Sequence, residues 1–421
     1  MSLLGKYKEF SVIVDNGSGV LFQPMTDDYT YVLTAKHNIE AKSTDEIVIK
    51  NCEGENLTIL EKYEHHDIDI AIVKIERIIG FVGPMKQIEV PKRNEKYILY
   101  GYPETRREEE NKLNYFNLVF GHQDQNDCIL SNSDFSEQSE MTGCSGGGVF
   151  KEENESTYIA GIEYRMDSSA SSGESHNRIR MILIDKFDDI INANNEKLAP
   201  LVPPYFDNFS GLLEEIFLLR GMSDHNKIVV RNELQSIAKT HFFDKIKPIE
   251  IADKYGKNLL IDKQNESELY NHALWAMYLE FLVLCPLIDT SSPLNVTDLN
   301  DIYKKRKFLF AKTEDWTGLA EQILLSDLSG LEKNGIVIIG CDGDREPTRC
   351  KLSKTVLENI DRVLPGERRI DSGISKPYED LTFKHIHAIQ KQMIDDDEYF
   401  DDADRNNVEE KIKDELSKVF S

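Results

Sequence analysis

The pattern of apolar residues changes character once along the chain, at Leu198-Ala-Pro-Leu-Val-Pro-Pro204. So dense a proline run suits neither a helix interior nor a central strand, and it reads as a stiff connector between separately folded parts. Before it, short β-branched and aromatic runs alternate with Gly, Asn, Asp and Pro. They begin at Ser11, Gly19, Tyr29, Glu46, Ile68, Tyr97, Tyr115, Gly148 and Tyr158. Many short runs with frequent turn residues predict an all-β sandwich or barrel. The polar stretches 104–112 and 166–176 are expected to be loops, and 183–195 a closing helix.

After the prolines the period becomes helical. Leu212, Ile216 and Leu219 are spaced to share a face, as are Leu234, Ile237 and Ala238. The stretch 268–287 predicts a long apolar helix with Trp275, Tyr278 and Phe281 inward. Residues 316–331 predict a further helix stopped at Asn334-Gly335, followed by an apolar strand at 336–339, a polar loop at 341–349 and a helix at 352–363. The expected organisation is therefore an all-β domain over 1–195, a linker over 196–205, and a mainly helical α/β or α+β domain over 206–421.

Composition narrows the function. With 40% apolar and 30% charged residues, the chain of 421 residues has the make-up of a folded, soluble protein. Its 50 Lys and Arg against 75 Asp and Glu leave a charge of −25, which repels phosphate backbones, so direct nucleic-acid binding is not expected. The N-terminal residues lack the apolar core of a signal peptide. The longest apolar stretch, 274–288, is broken by Glu280 and Pro286 and is too short to span a bilayer. Six cysteines without paired spacing predict free thiols in a cytoplasmic protein.

Three segments carry chemistry. Val32-Leu-Thr-Ala-Lys-His37 delivers a histidine after an apolar run. Asp69-Ile-Ala-Ile-Val-Lys-Ile75 opens another with an aspartate. Gly143-Cys-Ser-Gly-Gly-Gly148 is a glycine-rich turn holding a serine. A serine hydroxyl needs a base to take its proton, and the imidazole needs a carboxylate to fix its tautomer and stabilise its cation. The glycines allow a sharp turn that frees the Gly143 and Ser145 amides for a developing oxyanion. Asp67, two residues before Asp69, is a rival orienter. Cys144 is a rival nucleophile, and His65 and His66 are expected at the surface.

In this order and context the segments resemble the trypsin-like, chymotrypsin-fold serine peptidases over residues 9–190, a likeness to which Gly17-Ser-Gly-Val-Leu21 and Gly101-Tyr-Pro103 add. The resemblance implies two antiparallel β-barrels with Ser145 as nucleophile, His37 as general base, Asp69 as orienter, and the amides of Gly143 and Ser145 as oxyanion hole. The family pattern places two glycines after the nucleophile, which Ser145 satisfies and Cys144 does not. Cys144 and Asn38 stand where secreted members carry the activating aspartate and a disulfide cysteine, so the likeness implies an intracellular enzyme that is not activated by clipping. Gly161-Ile-Glu-Tyr-Arg165 aligns with the strand that meets substrate, making Glu163, Tyr164 and Arg165 substrate-binding candidates. Arg165 would favour acidic side chains and Glu140 basic ones, and the preference stays open.

The second half is similar to the helical regions fused to trypsin-like peptidases in bacterial ABC-three-component defence systems. That implies a protein substrate, control or targeting by the C-terminal domain, and a partner such as an ABC-type ATPase. The rival functions are a peptidase-fold module that binds without cleaving, and a sensor whose C-terminal domain takes a small ligand. No Gly-rich phosphate loop supports the sensor. No metal or cofactor is expected: Cys341 and Cys350 lack partner ligands, Asp342-Gly-Asp344 is too short for a calcium loop, and His385 and His387 are badly spaced for one metal. The acidic stretch 395–404 is either a solvated segment or a dock for a basic partner.

Overall fold

In the strand Tyr29–Thr34, alternate residues enter different cores, and this organises the first half of the molecule. Tyr29, Tyr31 and Leu33 point into one cluster, while Val32 points into another with Val12, Val14, Leu21 and Val73. The period-2 alternation of a strand makes such a division possible, and the strand is buried on both faces. The computed structural model describes the chain except residues 1–2, 110–111, 125, 133–139, 154–155, 168–176, 244, 289–294, 314–315, 343–380 and 421. It divides into two compact units, 1–204 and 205–421.

The first unit opens with helix α1 (Leu3–Phe10) and a six-stranded antiparallel sheet: β1 (Ser11–Val14), β2 (Gly17–Phe22), β3 (Tyr29–Thr34), β4 (Ile49–Lys50), β5 (Ile59–Glu64) and β6 (Ala71–Glu76). The order is β4-β1-β2-β3-β6-β5. The second sheet comprises β7 (Met85–Lys86), β8 (Lys96–Gly101), β9 (Asn114–Asp124), β10 (Asp127–Ser131), β11 (Gly148–Glu153), β12 (Ser156–Met166) and β13 (Arg178–Leu183). Its order is β11-β8-β9-β10-β13-β12-β7. The further pairing of β11 with β12 closes six of these strands into a barrel, with β7 added in parallel outside. The expected all-β form is observed, with the second sheet closed into a six-stranded barrel.

Three apolar clusters follow. One fills the first sheet and one the second. The third, with Tyr31, Leu33, Tyr100, Phe150 and Ile162, joins the two. Helix α2 (Phe187–Ala193) closes the unit through Phe187 and Ile190. The proline-rich segment packs here as well. Leu198 and Leu201 are core residues, Tyr31 donates to the Ala199 carbonyl at 3.0 Å, and the Met25 amide donates to that of Pro200 at 3.0 Å.

The second unit contains α3 (Asp224–His241), α4 (Pro248–Tyr255), α5 (His272–Ile288), α6 (Leu299–Lys305), β14 (Arg306–Ala311), α7 (Ala320–Leu325), β15 (Ile336–Cys341), β16 (Thr382–His385), α8 (Ala388–Asp395) and α9 (Val408–Phe420). Strands β14, β15 and β16 form a parallel sheet in that order. Helix α5 buries Trp275, Tyr278 and Phe281 as the sequence requires, and the Trp275 indole donates to the Leu269 carbonyl at 2.7 Å. Two expectations change. Residues 209–215 form a 3-10 turn, and Phe217 and Leu219 have φ of 48° and 46°. That segment is held by the Glu280 carboxylate on the Phe217 amide and the Gln390 side chain on the Leu219 amide, which replace helical bonds. The helix expected over 316–331 is a 3-10 turn and the short α7, ending at Ser326, whose hydroxyl bonds back to the Gln322 carbonyl. The helix expected at 352–363 and Cys350 lie outside the described residues. The other five cysteines are free thiols. No described helix is long and apolar enough to cross a membrane.

Candidate active site

Strand β3 ends at Thr34 and runs through Ala35 into a 3-10 turn, Lys36–Asn38, which lifts His37 to a half-exposed position. Because Thr34 pairs with Ala71 of β6, the residues just before β6 lie beside this turn. Asp69 therefore meets His37 twice. Its Oδ2 pairs with Nδ1 at 2.7 Å, and its Oδ1 accepts the His37 backbone N–H at 2.9 Å. The carboxylate holds the Nδ1 proton and leaves Nε2 with its lone pair, the arrangement a general base requires. The hydrogen bond to Asp69 raises the imidazole pKa above its ordinary value against the opposing effect of burial. For Asp69, burial works against the charge, but the hydrogen bonds from His37 prevail and the carboxyl lies below its usual range. Asp67 instead faces the exposed His66 at 2.8 Å. His65 is buried, contrary to expectation, because its Nδ1 accepts the Asp67 and Ile68 amides at 3.1 and 2.9 Å.

The turn before β11 holds the serine. Gly143 and Gly146 have φ of +94° and +90°, a region that L side chains avoid. The turn is closed by the Cys144 amide on the Met141 carbonyl (2.9 Å) and the Gly147 amide on that of Cys144 (2.7 Å). Two further bonds tie it to β12: the Gly146 amide donates to the Glu163 carbonyl at 2.7 Å, and the Glu163 amide to that of Gly147 at 2.9 Å. The amides of Gly143 and Ser145 have no acceptor among the described residues, so both remain free to donate to a bound oxyanion. The Ser145 hydroxyl donates to the Tyr164 carbonyl at 2.7 Å, so its proton rests there and not on His37. The two halves of the site nonetheless touch, since the carboxamide of Asn38, next to His37, donates to the Ser145 carbonyl at 2.9 Å.

Cys144 is fully buried, and burial pushes its thiol well above the ordinary range, so it presents no thiolate. Glu163 is only 2% exposed. Burial, and after it the charge of Asp69, raises its carboxyl to about 8, and its Oε2 has no partner among the described residues. Beside Tyr164 lies a cleft of about 500 Å³ bounded by Asp67, Asp69, Asp127 and Arg165. Arg180 in its wall is neutralised by Asp127 and Asp167 at 3.0 and 2.8 Å, whereas the Arg165 guanidinium stands 5.1 Å from the Tyr164 ring. Glu140 is exposed. The bonds made by Ser18, Thr34 and Asn38 are not legible in the sequence, where only the placing of Gly17 and Gly19 around Ser18 hints at close packing.

Residues 181–395 match C-terminal domain 4 of the ABC-three component (ABC-3C) systems. The chain belongs to this ABC-3C family. Among curated proteins, none matches it significantly. Similar solved structures include kallikrein-related peptidase 10, alone and in complex with Zn2+. Each is 14% identical and covers 45% of this chain and 97% of its own, with a TM-score of 0.35. Another is the scabies mite inactivated protease paralogue S-I1, 14% identical, covering 46% of this chain and 96% of its own, with a TM-score of 0.36. The ABC-3C chain thus joins an N-terminal domain with a closed six-stranded β-barrel to the family's C-terminal domain.

Proposed function

We propose that the chain is a cytoplasmic serine endopeptidase of an ABC-three-component defence system, which cleaves a protein substrate under control of its C-terminal unit. The observation that carries the reading is the double hydrogen bond of Asp69 to His37, in contact through Asn38 with the turn of Ser145. Catalysis begins when the Ser145 hydroxyl leaves the Tyr164 carbonyl and turns to His37 Nε2. Its Oγ then attacks the substrate carbonyl carbon while the proton passes to Nε2. The carbonyl π pair moves onto oxygen, which the Gly143 and Ser145 amides receive. Collapse breaks the C–N bond, and the imidazolium returns its proton to the leaving amine. Water repeats the steps on the acyl-enzyme.

Fluorophosphonate labelling, with the modified peptide identified by mass, tests this. The native chain should label at Ser145. Ser145→Ala should abolish the adduct, and His37→Ala should slow labelling by about 10³-fold or more. The hydroxyl resting on Tyr164 favours a second reading, a module that binds peptides without cleaving them. Failure of Ser145 to label, with and without the other components of the system, would establish that reading instead.

A further inference from the structure

We propose that Asn38 is a positioning residue for the nucleophile, its carboxamide keeping the turn of Ser145 in register with His37. This rests on Ser145 being the nucleophile, and it assigns a role to a side chain that touches neither the reacting hydroxyl nor the imidazole. Asn38 ends the same short turn that carries His37. Its Nδ2 has two protons and uses both, on the Ser145 carbonyl at 2.9 Å and on Thr34 Oγ1 at 3.0 Å. Thr34 Oγ1 passes its own proton to the Ser18 carbonyl at 2.7 Å, and the Ser18 amide donates to the Ser145 carbonyl at 2.8 Å. Four hydrogen bonds thus close a ring through Ser18, Thr34, Asn38 and Ser145.

The ring reaches one residue further. Ser18 Oγ donates to the Gly143 carbonyl at 2.7 Å and accepts the Tyr102 amide at 2.8 Å. The carbonyls of residues 143 and 145 are therefore both anchored, and the Ser145 N–H sits between them on the intervening stretch of backbone. Loss of one anchor lets the turn rotate, and oxyanion donors act only when aimed in advance. Two glycines make room for the ring. A Cβ at Gly17 would fall inside the Asn38 carboxamide, and one at Gly146 would fall on the Ser18 carbonyl oxygen and close to Thr34 Oγ1.

The test uses the full chain and a fluorophosphonate concentration series, which separates reagent affinity from the rate constant of bond formation at Ser145. Asn38→Ala should lower that rate constant about tenfold or more, short of the roughly 10²–10³ lost with a whole oxyanion donor, and leave affinity nearly unchanged. Asn38→Leu keeps a similar volume and adds no charge but removes the donor, so it should match Asn38→Ala. Gly17→Ala should reproduce the defect in the wild-type background and add little in Asn38→Ala, where the space is vacant. The pH midpoint of labelling should not move, because the carboxamide contacts neither His37 nor Asp69. Should Asn38→Ala fail to fold, Asn38→Leu and Gly17→Ala carry the same test. A wild-type chain that labels while these variants label at its rate, with or without a lower melting temperature, overturns the role of Asn38 alone. A wild-type chain that never labels overturns the peptidase reading and this inference with it.

Discussion

Glu163→Gln should make the first unit's stability respond differently to pH. Glu163 is enclosed, and burial with the neighbouring Asp69 charge raises its carboxyl from 4.5 to about 8. Well below pH 4.5 it is protonated in both folded and unfolded chains and contributes nothing to the slope. Between 4.5 and 8 the unfolded chain releases this proton while the folded chain keeps it, so stability falls as pH rises. At ~1.36 kcal/mol per pH unit, the loss over the two units from about pH 5.5 to about pH 7.5 is about 3 kcal/mol. A glutamine in its place has no proton to hold, so the stability of the variant relative to wild type should improve by that order over the same interval. Any fixed cost of the partnerless amide cancels in the difference. Trp275 and Trp316 are both in the second unit, so indole fluorescence reports the wrong domain. Urea unfolding read by pulse alkylation of the buried Cys128 and Cys144, resolved by mass, follows the first unit. A wild-type-to-variant difference flat within ~0.5 kcal/mol would refute a protonated Glu163.

Three other outcomes are expected. The acid limb of fluorophosphonate labelling should be centred above the ordinary histidine value of ~6.5, because the Asp69 bond raises His37 and only the neutral ring is a base; Asp69→Asn should cost about 10⁴-fold in rate. Gly146→Ala forces a side chain into φ of +90° and onto the Ser18 carbonyl, and should abolish labelling at Ser145 with a stability loss on the order of 2 kcal/mol, measured by the same alkylation assay. Trp275→Ala should destabilise the second unit by about 3–5 kcal/mol, by cavity formation and by stranding the Leu269 carbonyl, as followed by Trp316 fluorescence in urea.

Much of the first unit can be read directly because its strands have one period and sharp turns. β1, β3 and β8 fall within a residue of the apolar runs that announce them. Strands β5 and β13 are hidden because Ile59-Leu-Glu-Lys-Tyr-Glu64 and Arg178-Ile-Arg-Met-Ile-Leu183 carry charges on their outer positions and look like connecting segments. β14 and β16 are hidden for a related reason: Arg306 and Lys384 put cations in strands that are buried. The triad segments are legible because each couples an apolar strand to one reactive side chain. The resting place of the Ser145 proton is not, since it depends on which carbonyl β12 brings within reach. Nor is the state of Glu163, for a carboxyl's environment is set by the strands that enclose it.

That environment bears directly on the proposed chemistry. Two carboxyls of the site interact: Asp69, which bonds His37, and Glu163, which feels the Asp69 charge. Asp69, with its two hydrogen bonds from His37, is the one whose charge is supported. Glu163 has no donor for its Oε2 among the described residues and feels the Asp69 charge, so in this dry setting only one of the two ionises at neutral pH. The consequence lies on the alkaline side. As pH passes about 8, wild-type Glu163 begins to ionise beside the nucleophile turn, whose Cys144 feels its charge and whose Gly146 and Gly147 bond its backbone, and the new anion opposes the negative charge that develops there in the transition state. The wild-type labelling rate should therefore fall below the plateau of a single histidine titration above pH ~8, while that of Glu163→Gln holds its plateau. Rates for both proteins from about pH 6 to about pH 9.5, corrected for hydrolysis of the reagent, decide the matter. Superimposable profiles would mean that ionisation of Glu163 does not reach the charge developing at the nucleophile turn.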